Sequence, residues 1–136
     1  MRILVTGSRE WTDREALIDA LSDLSKECMG DCTLIHGGAY GADILAHKVV
    51  RAWAARWGGW ATEIFPAEWA KDGKAAGPIR NARMLEEGKP DICLAFPLPG
   101  SKGTWDMIRK ANAAGIEVRI IPARRSDEVE QQLTLG

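Results

Sequence analysis

The chain has 136 residues, 46% of them hydrophobic, and its 18 basic side chains against 19 acidic ones leave a net charge of −1. That size and apolar content suit one ordinary domain, residues 1–136, burying its own core without disulfides or metal, and the balanced charge argues against nucleic acid or an anionic membrane as a partner. No apolar run approaches the roughly 20 residues that a membrane span requires, and the N-terminal segment reads as a strand rather than an export signal, which points to the cytoplasm.

Residues 2–6 are an aliphatic, β-branched run that ends at Gly7-Ser8-Arg9, a first strand and its turn. Thr12-Asp13-Arg14-Glu15 supplies a capping box in which the Thr12 hydroxyl faces the Glu15 amide. A helix should begin there, with Ala16, Leu17, Ala20, Leu21 and Leu24 at helical spacing and Gly30 beyond its end. Residues 32–35 read as the second strand, and "HGGAYGAD" at 36–43 leads into a helix over about 41–56 with Ile44, Leu45, Val49, Ala52 and Trp53 on its apolar face. Gly58-Gly59 stops that helix, residues 60–65 form a third strand, and residues 68–77 read as a long polar loop of the kind that is more often functional than idle. Pro78 fits the first turn of a helix that runs to Gly88. Residues 91–96 are the fourth strand, "PLPGSKGT" at 97–104 the turn after it, and a helix follows through Ala114 to a stop at Gly115. Residues 117–121 are the fifth strand, and residues 126–133 suit a short terminal helix.

Strands that are apolar runs, alternating with helices, predict an α/β fold: a three-layer, Rossmann-like, doubly wound parallel sheet covered on both faces. Right-handed crossovers then place every strand-to-helix turn at one edge. Three of those turns are rich in glycine. They are Gly7-Ser8-Arg9, the stretch that holds Gly37, Gly38, Gly41 and Asp43, and the stretch that holds Pro99, Gly100, Ser101, Gly103 and Thr104. Glycine lets main-chain amides approach a ligand with no Cβ in the way, and the free N–H groups of a helix's first turn favour an anion. The three turns together predict an anionic ligand at the sheet edge. Neither G-x-G-x-x-G nor the Walker spacing is present, which argues against a standard NAD dehydrogenase or P-loop ATPase.

Single residues allow more than one role. Asp43 complements the helix dipole or accepts from a ribose hydroxyl. Arg9 suits a phosphate partner or plain solvation, Lys74 is a loop charge able to close over phosphate, and Trp11, Trp69 and Trp105 stack on a base or simply pack. His36 is better suited to ordering the turn than to acid–base work. Cys28, Cys32 and Cys93 read as reduced core thiols, and with neither Cys-x-x-Cys nor His-x-x-x-His no metal site is expected.

"GSREWTD", "HGGAYGAD", "GKAAGPIRNARM" and "PGSKGT" together resemble the SLOG superfamily of Rossmann-like domains, in its small stand-alone YspA-like branch. That superfamily also includes the cytokinin-activating phosphoribohydrolases, the DNA-processing protein DprA and ligand-sensing domains of antiphage defence. The resemblance implies a pocket for a nucleotide or nucleotide-derived ligand, such as an ADP-ribose-like or cyclic signal; no cofactor is expected. It does not by itself imply catalysis.

The phosphoribohydrolases carry P-G-G-x-G-T-x-x-E, to which Pro99, Gly100, Gly103 and Thr104 correspond, with Ser101 in place of a glycine and Met107 in place of the catalytic glutamate. A thioether cannot do a carboxylate's work, and Asp106 is turned about 100° away along a helix. Arg80 of Arg80-Asn81-Ala82-Arg83-Met84 matches that family's catalytic arginine and suits a bidentate phosphate contact, with Asn81 beside it. The first expectation is therefore a binding or sensing module. The alternative is a hydrolase that frees the base of a nucleoside 5′-monophosphate, with Arg80 and Asp106 as catalytic residues. DprA-like binding of single-stranded DNA is weakened by the near-neutral charge. Relatives commonly pair, so the resemblance implies a homo-oligomer, and Trp53, Trp57 and Trp60 offer either a subunit contact or core packing.

Overall fold

The computed structural model describes residues 1–123. The expected terminal helix at 126–133 lies outside them. Five strands, β1 (Arg2–Gly7), β2 (Cys32–His36), β3 (Trp60–Ile64), β4 (Ile92–Phe96) and β5 (Glu117–Ile120), pair in parallel in the order β3-β2-β1-β4-β5. Between them run α1 (Arg14–Cys28), α2 (Ala42–Trp57), the single turn α3 (Trp69–Asp72), α4 (Ala76–Gly88) and α5 (Lys102–Ala113). The Rossmann-like α/β class expected from the sequence is the class observed.

The central strands are apolar on both faces because both are covered. Ile3 and Val5 of β1 pack with Leu17, Leu21 and Leu24 of α1 and with Ala46, Val49 and Val50 of α2. Leu4, between them in sequence, points to the opposite face, where Met84 of α4 and Met107 and Ala111 of α5 cover it. This alternation follows from the two-residue period of a strand. β1 leads outward through β2 to β3 on one side, and the chain then returns to β4 on the other. The strand order therefore reverses between β1 and β4, where a crevice opens outside the carboxyl ends of the strands.

Three local expectations are corrected. The cap of α1 is Asp13, whose Oδ1 accepts the Ala16 N–H at 3.1 Å, one residue later than the predicted Thr12 capping box. Residues 68–77 are helical for most of their length, through α3, a 3₁₀ turn at Gly73–Ala75 and the start of α4, which begins two residues before Pro78. Proline is accepted there because the first turn of a helix has no internal acceptor for its N–H. Cys28 and Cys32 are joined in a disulfide and are not reduced thiols. The connection between α1 and β2 turns through Met29 at φ 54° and Gly30 at φ 85°, which brings the two Cα atoms to 5.7 Å, within bridging range. Cys93 remains a thiol, and burial pushes its pKa up to about 12, so it is inert packing.

Candidate functional site

The first turn is built into the sheet edge by its own backbone. The Ser8 N–H donates to the Phe96 carbonyl at 2.9 Å, and the Ser8 carbonyl accepts from the N–H groups of Trp11 and Ala42, each at 3.2 Å. Gly7 is required by packing, since a Cβ there would collide with Ala42 Cβ and lie 2.9 Å from Phe96 Cβ. Gly41, at φ 83°, backs onto Ser8 and Arg9, with a Cβ position only 2.6 Å from the Arg9 carbonyl oxygen. The first two glycine turns are thus pressed together.

The second turn holds an anion of its own. Asp43, only 5% exposed, accepts through Oδ2 from the N–H groups of Gly37 (3.1 Å) and Ala39 (3.2 Å), while the Gly38 N–H donates to His36 Nδ1 at 3.0 Å. Burial pushes the Asp43 carboxyl up to about 6, against the opposing pull of the Ala39 and Gly37 N–H groups and of Arg80 and Arg9. Its Oδ1 has no hydrogen-bond partner among the described residues. His36 is held neutral, its pKa lowered to about 4 by burial and by the neighbouring His47 and Arg80. Because Nδ1 accepts from Gly38, the proton sits on Nε2, which donates to His47 Nδ1 at 2.9 Å. The role expected for His36, ordering the turn, is the role it has.

The third glycine turn, after β4, is tied to the second through α4. Arg80 reaches across to donate from Nη1 to the Gly37 carbonyl at 2.9 Å and from Nε to Asn81 Oδ1 at 3.1 Å. Gly37 makes room for it, since a Cβ there would stand 2.6 Å from Arg80 Cζ. Asn81, 2% exposed, spends its amide group on the Gly103 carbonyl (3.2 Å) and Asp106 Oδ2 (3.0 Å). It positions the start of α5 and is not free for a ligand. Ser101 precedes α5, and its Oγ accepts from the Leu98 N–H at 3.0 Å. The N–H groups of Gly103 and Thr104 have no acceptor among the described residues.

These elements enclose a cavity of about 640 Å3. Gly7, Ser8, Arg9, Asp43, Arg80 and Asn81 line it, as do Pro99, Gly100, Ser101, Gly103 and Thr104. Gly37, Gly38 and Gly41 do not. Gly37 clears space for Arg80, and Gly41 for the first turn. Trp11 is also corrected. It is 2% exposed, set edge-on to Phe96 at 5.3 Å between ring centres, with its Nε1–H on the Asp13 carbonyl. Trp105 lies outside the cavity, whereas Trp69 and Lys74 line it.

The position that the resemblance aligns with the phosphoribohydrolases' glutamate faces the core. Met107 is fully buried in the core under the sheet, and Asp106 is the residue that lines the cavity. Burial would raise the Asp106 carboxyl, but hydrogen bonds from Lys110 (2.6 Å) and Asn81 and the charges of Lys110 and Arg109 outweigh it and hold the pKa below its ordinary value. Sequence reasoning missed Lys102 and Arg109, which also line the cavity. With Asp106 they recur at i, i+4 and i+7, a polar stripe legible in the sequence as the complement of the buried stripe Thr104, Met107, Ile108 and Ala111. Five basic residues, Arg9, Lys74, Arg80, Lys102 and Arg109, face three acidic ones in the lining, a positive bias that the net charge of the chain conceals.

No helix among the described residues is long and apolar enough to cross a membrane, and those residues hold no cluster of three or more His, Cys, Asp or Glu side chains able to bind a metal ion. The model of the YAcAr family, described as the YspA, cpYpsA-related SLOG family, matches residues 1–71, the segment that carries the first two glycine turns. Gene 61 protein of Mycobacterium phage D29 is 44% identical over 119 residues, which cover 86% of this chain and 93% of the phage protein. With a doubly wound sheet, glycine turns meeting at its switch point and these two matches, the chain belongs to the YspA, cpYpsA-related SLOG family.

Proposed function

We propose that this protein, as one SLOG-type domain, binds or senses a nucleotide or nucleotide-derived small molecule, with the phosphate at the start of α5. The observation that carries the reading is the pair of N–H groups, Gly103 and Thr104, without acceptors among the described residues, in the same cavity as the half-buried cation Arg80. A helix N-terminus favours negative charge, and an arginine adds directed donors to it. Gly103 has open space where a Cβ would stand, so a ligand atom can approach its backbone. SLOG membership agrees with a nucleotide-related role. Thermal unfolding with a panel of nucleoside monophosphates, ADP-ribose and cyclic nucleotides tests the proposal. At about 100 times its dissociation constant a ligand adds about 2.7 kcal/mol. A panel without a shift refutes it.

A second reading, hydrolysis of a nucleoside 5′-monophosphate at its N-glycosidic bond, is favoured by one observation: an ionised Asp106 faces the cavity. Chromatography of free base after incubation with the same monophosphates decides between them. Base release that is lost in both Arg80→Ala and Asp106→Asn establishes the enzyme. Binding without release establishes the module.

A further inference from the structure

We infer that Trp69 is the platform for a planar aromatic group of the ligand, so that α3 is the element that sets base recognition; this rests on the phosphate reading above. Trp69 is the one aromatic side chain in the lining of the cavity among the described residues. It is 51% exposed, and α3 buries none of its residues. The fold therefore holds an indole on the cavity wall without using it as core, in contrast to Trp11.

Contacts of the ring and of its helix place the platform. The Arg9 guanidinium lies over the ring, 5.6 Å from its centre. At the edge of the ring, Cη2 lies 3.7 Å from where a Cβ on Gly77 would sit, an ordinary contact distance that sets the indole against the first turn of α4. The helix that carries it is held in turn: the Glu68 carbonyl accepts the N–H groups of Lys71 (3.1 Å) and Asp72 (2.8 Å), and the Glu68 carboxylate faces Arg83 at 3.8 Å. Gly77, Pro78 and Met84 also line the cavity and add apolar surface to it. A ligand with one anionic and one flat apolar end matches both walls. Its phosphate faces Gly103 and Thr104, and its ring lies on Trp69 with Arg9 alongside. Stacking of this kind is tolerant of base identity, because every base has a π-face.

Isothermal titration with ribose 5-phosphate and with AMP separates the two walls, because the probes share a phosphate and sugar and differ in the ring. The expected result is that AMP binds about tenfold or more tightly than ribose 5-phosphate. Trp69→Ala should weaken AMP more than ribose 5-phosphate and so bring the two affinities together, and Trp69→Phe should retain part of the difference. Far-ultraviolet circular dichroism checks that each variant keeps the fold. Equal affinities in the unaltered protein, or an undiminished preference for AMP in Trp69→Ala, overturn the inference and leave the phosphate reading standing. Failure of both probes to bind the unaltered protein overturns the phosphate reading, and this inference with it.

Discussion

Gly37 illustrates how one missing Cβ serves a side chain far away in sequence. Its φ is not among the positive values, so alanine is compatible with its backbone, but the added methyl would enter the space of the Arg80 guanidinium. That group is the end of a flexible chain and can move. Gly37→Ala should therefore cost about 1 kcal/mol or less in stability and still weaken phosphate-ligand binding as much as Arg80→Ala does. Calorimetric binding and thermal unfolding of the two variants, side by side, check this. Met107 predicts the reverse. Met107→Glu would install the residue type of the phosphoribohydrolases but place a carboxylate in the core beside Leu4, Cys93 and Ala111. We expect a loss of about 3 kcal/mol or more by urea unfolding, with no gain of base release.

His36 and Asp43 give the pH dependence of stability opposite signs. Folding lowers His36 from 6.5 to about 4, so the unfolded chain takes up a proton that the folded one refuses, and stability falls as pH drops from about 6.5 towards 4. Folding raises Asp43 from 3.8 to about 6, so the folded carboxyl protonates first, and stability rises as pH drops from about 6 towards 3.8. In the window they share, the two largely offset each other. Asp43→Asn keeps an oxygen for the Gly37 and Ala39 N–H groups and removes only the second contribution. Its stability should therefore fall more steeply than that of the unaltered protein on acidification, by an amount on the order of 3 kcal/mol. Parallel urea titrations across that window check it, and matching slopes would refute the assignment.

Among the elements, the α1–β2 connection and α5 repay separate tests. The Cys28–Cys32 bridge closes a short loop where Gly59 packs so closely that a Cβ there would stand 2.6 Å from the Gly30 carbonyl oxygen. Opening so small a ring by Cys28→Ser should cost about 2 kcal/mol in the chain-entropy account, read as a lower guanidinium midpoint that matches the protein under reductant. The bridge lies at the end of α1 and the start of β2, away from the carboxyl edge, so ligand affinity should not change. In α5, helical phase assigns the two neighbours Asp106 and Met107 to cavity and core, a distinction that a motif aligned by position alone does not make.

For the whole molecule, alternating apolar runs and helical periodicities, together with the glycine turns between them, were enough to read the parallel sheet, its five strands and the edge at which the strand-to-helix turns meet. Those signals are local in sequence and repeat with the periods of strand and helix. Arg80, Gly100, Gly103 and Thr104 were legible on the same grounds and from the resemblance, and the structure brings them to one cavity. What the sequence alone could not show depends on contacts between distant segments. The amides of "HGGAYGAD" looked open to a ligand, yet Asp43 takes two of them and His36 a third, because the first turn of α2 folds back over the end of β2. Trp11, Trp69 and Trp105 are alike as residues in a string, and only packing sends the first to the core, the second to the cavity wall and the third outside it. Burial is a property of the assembled layers, so the division of labour among similar side chains was decided by the tertiary structure.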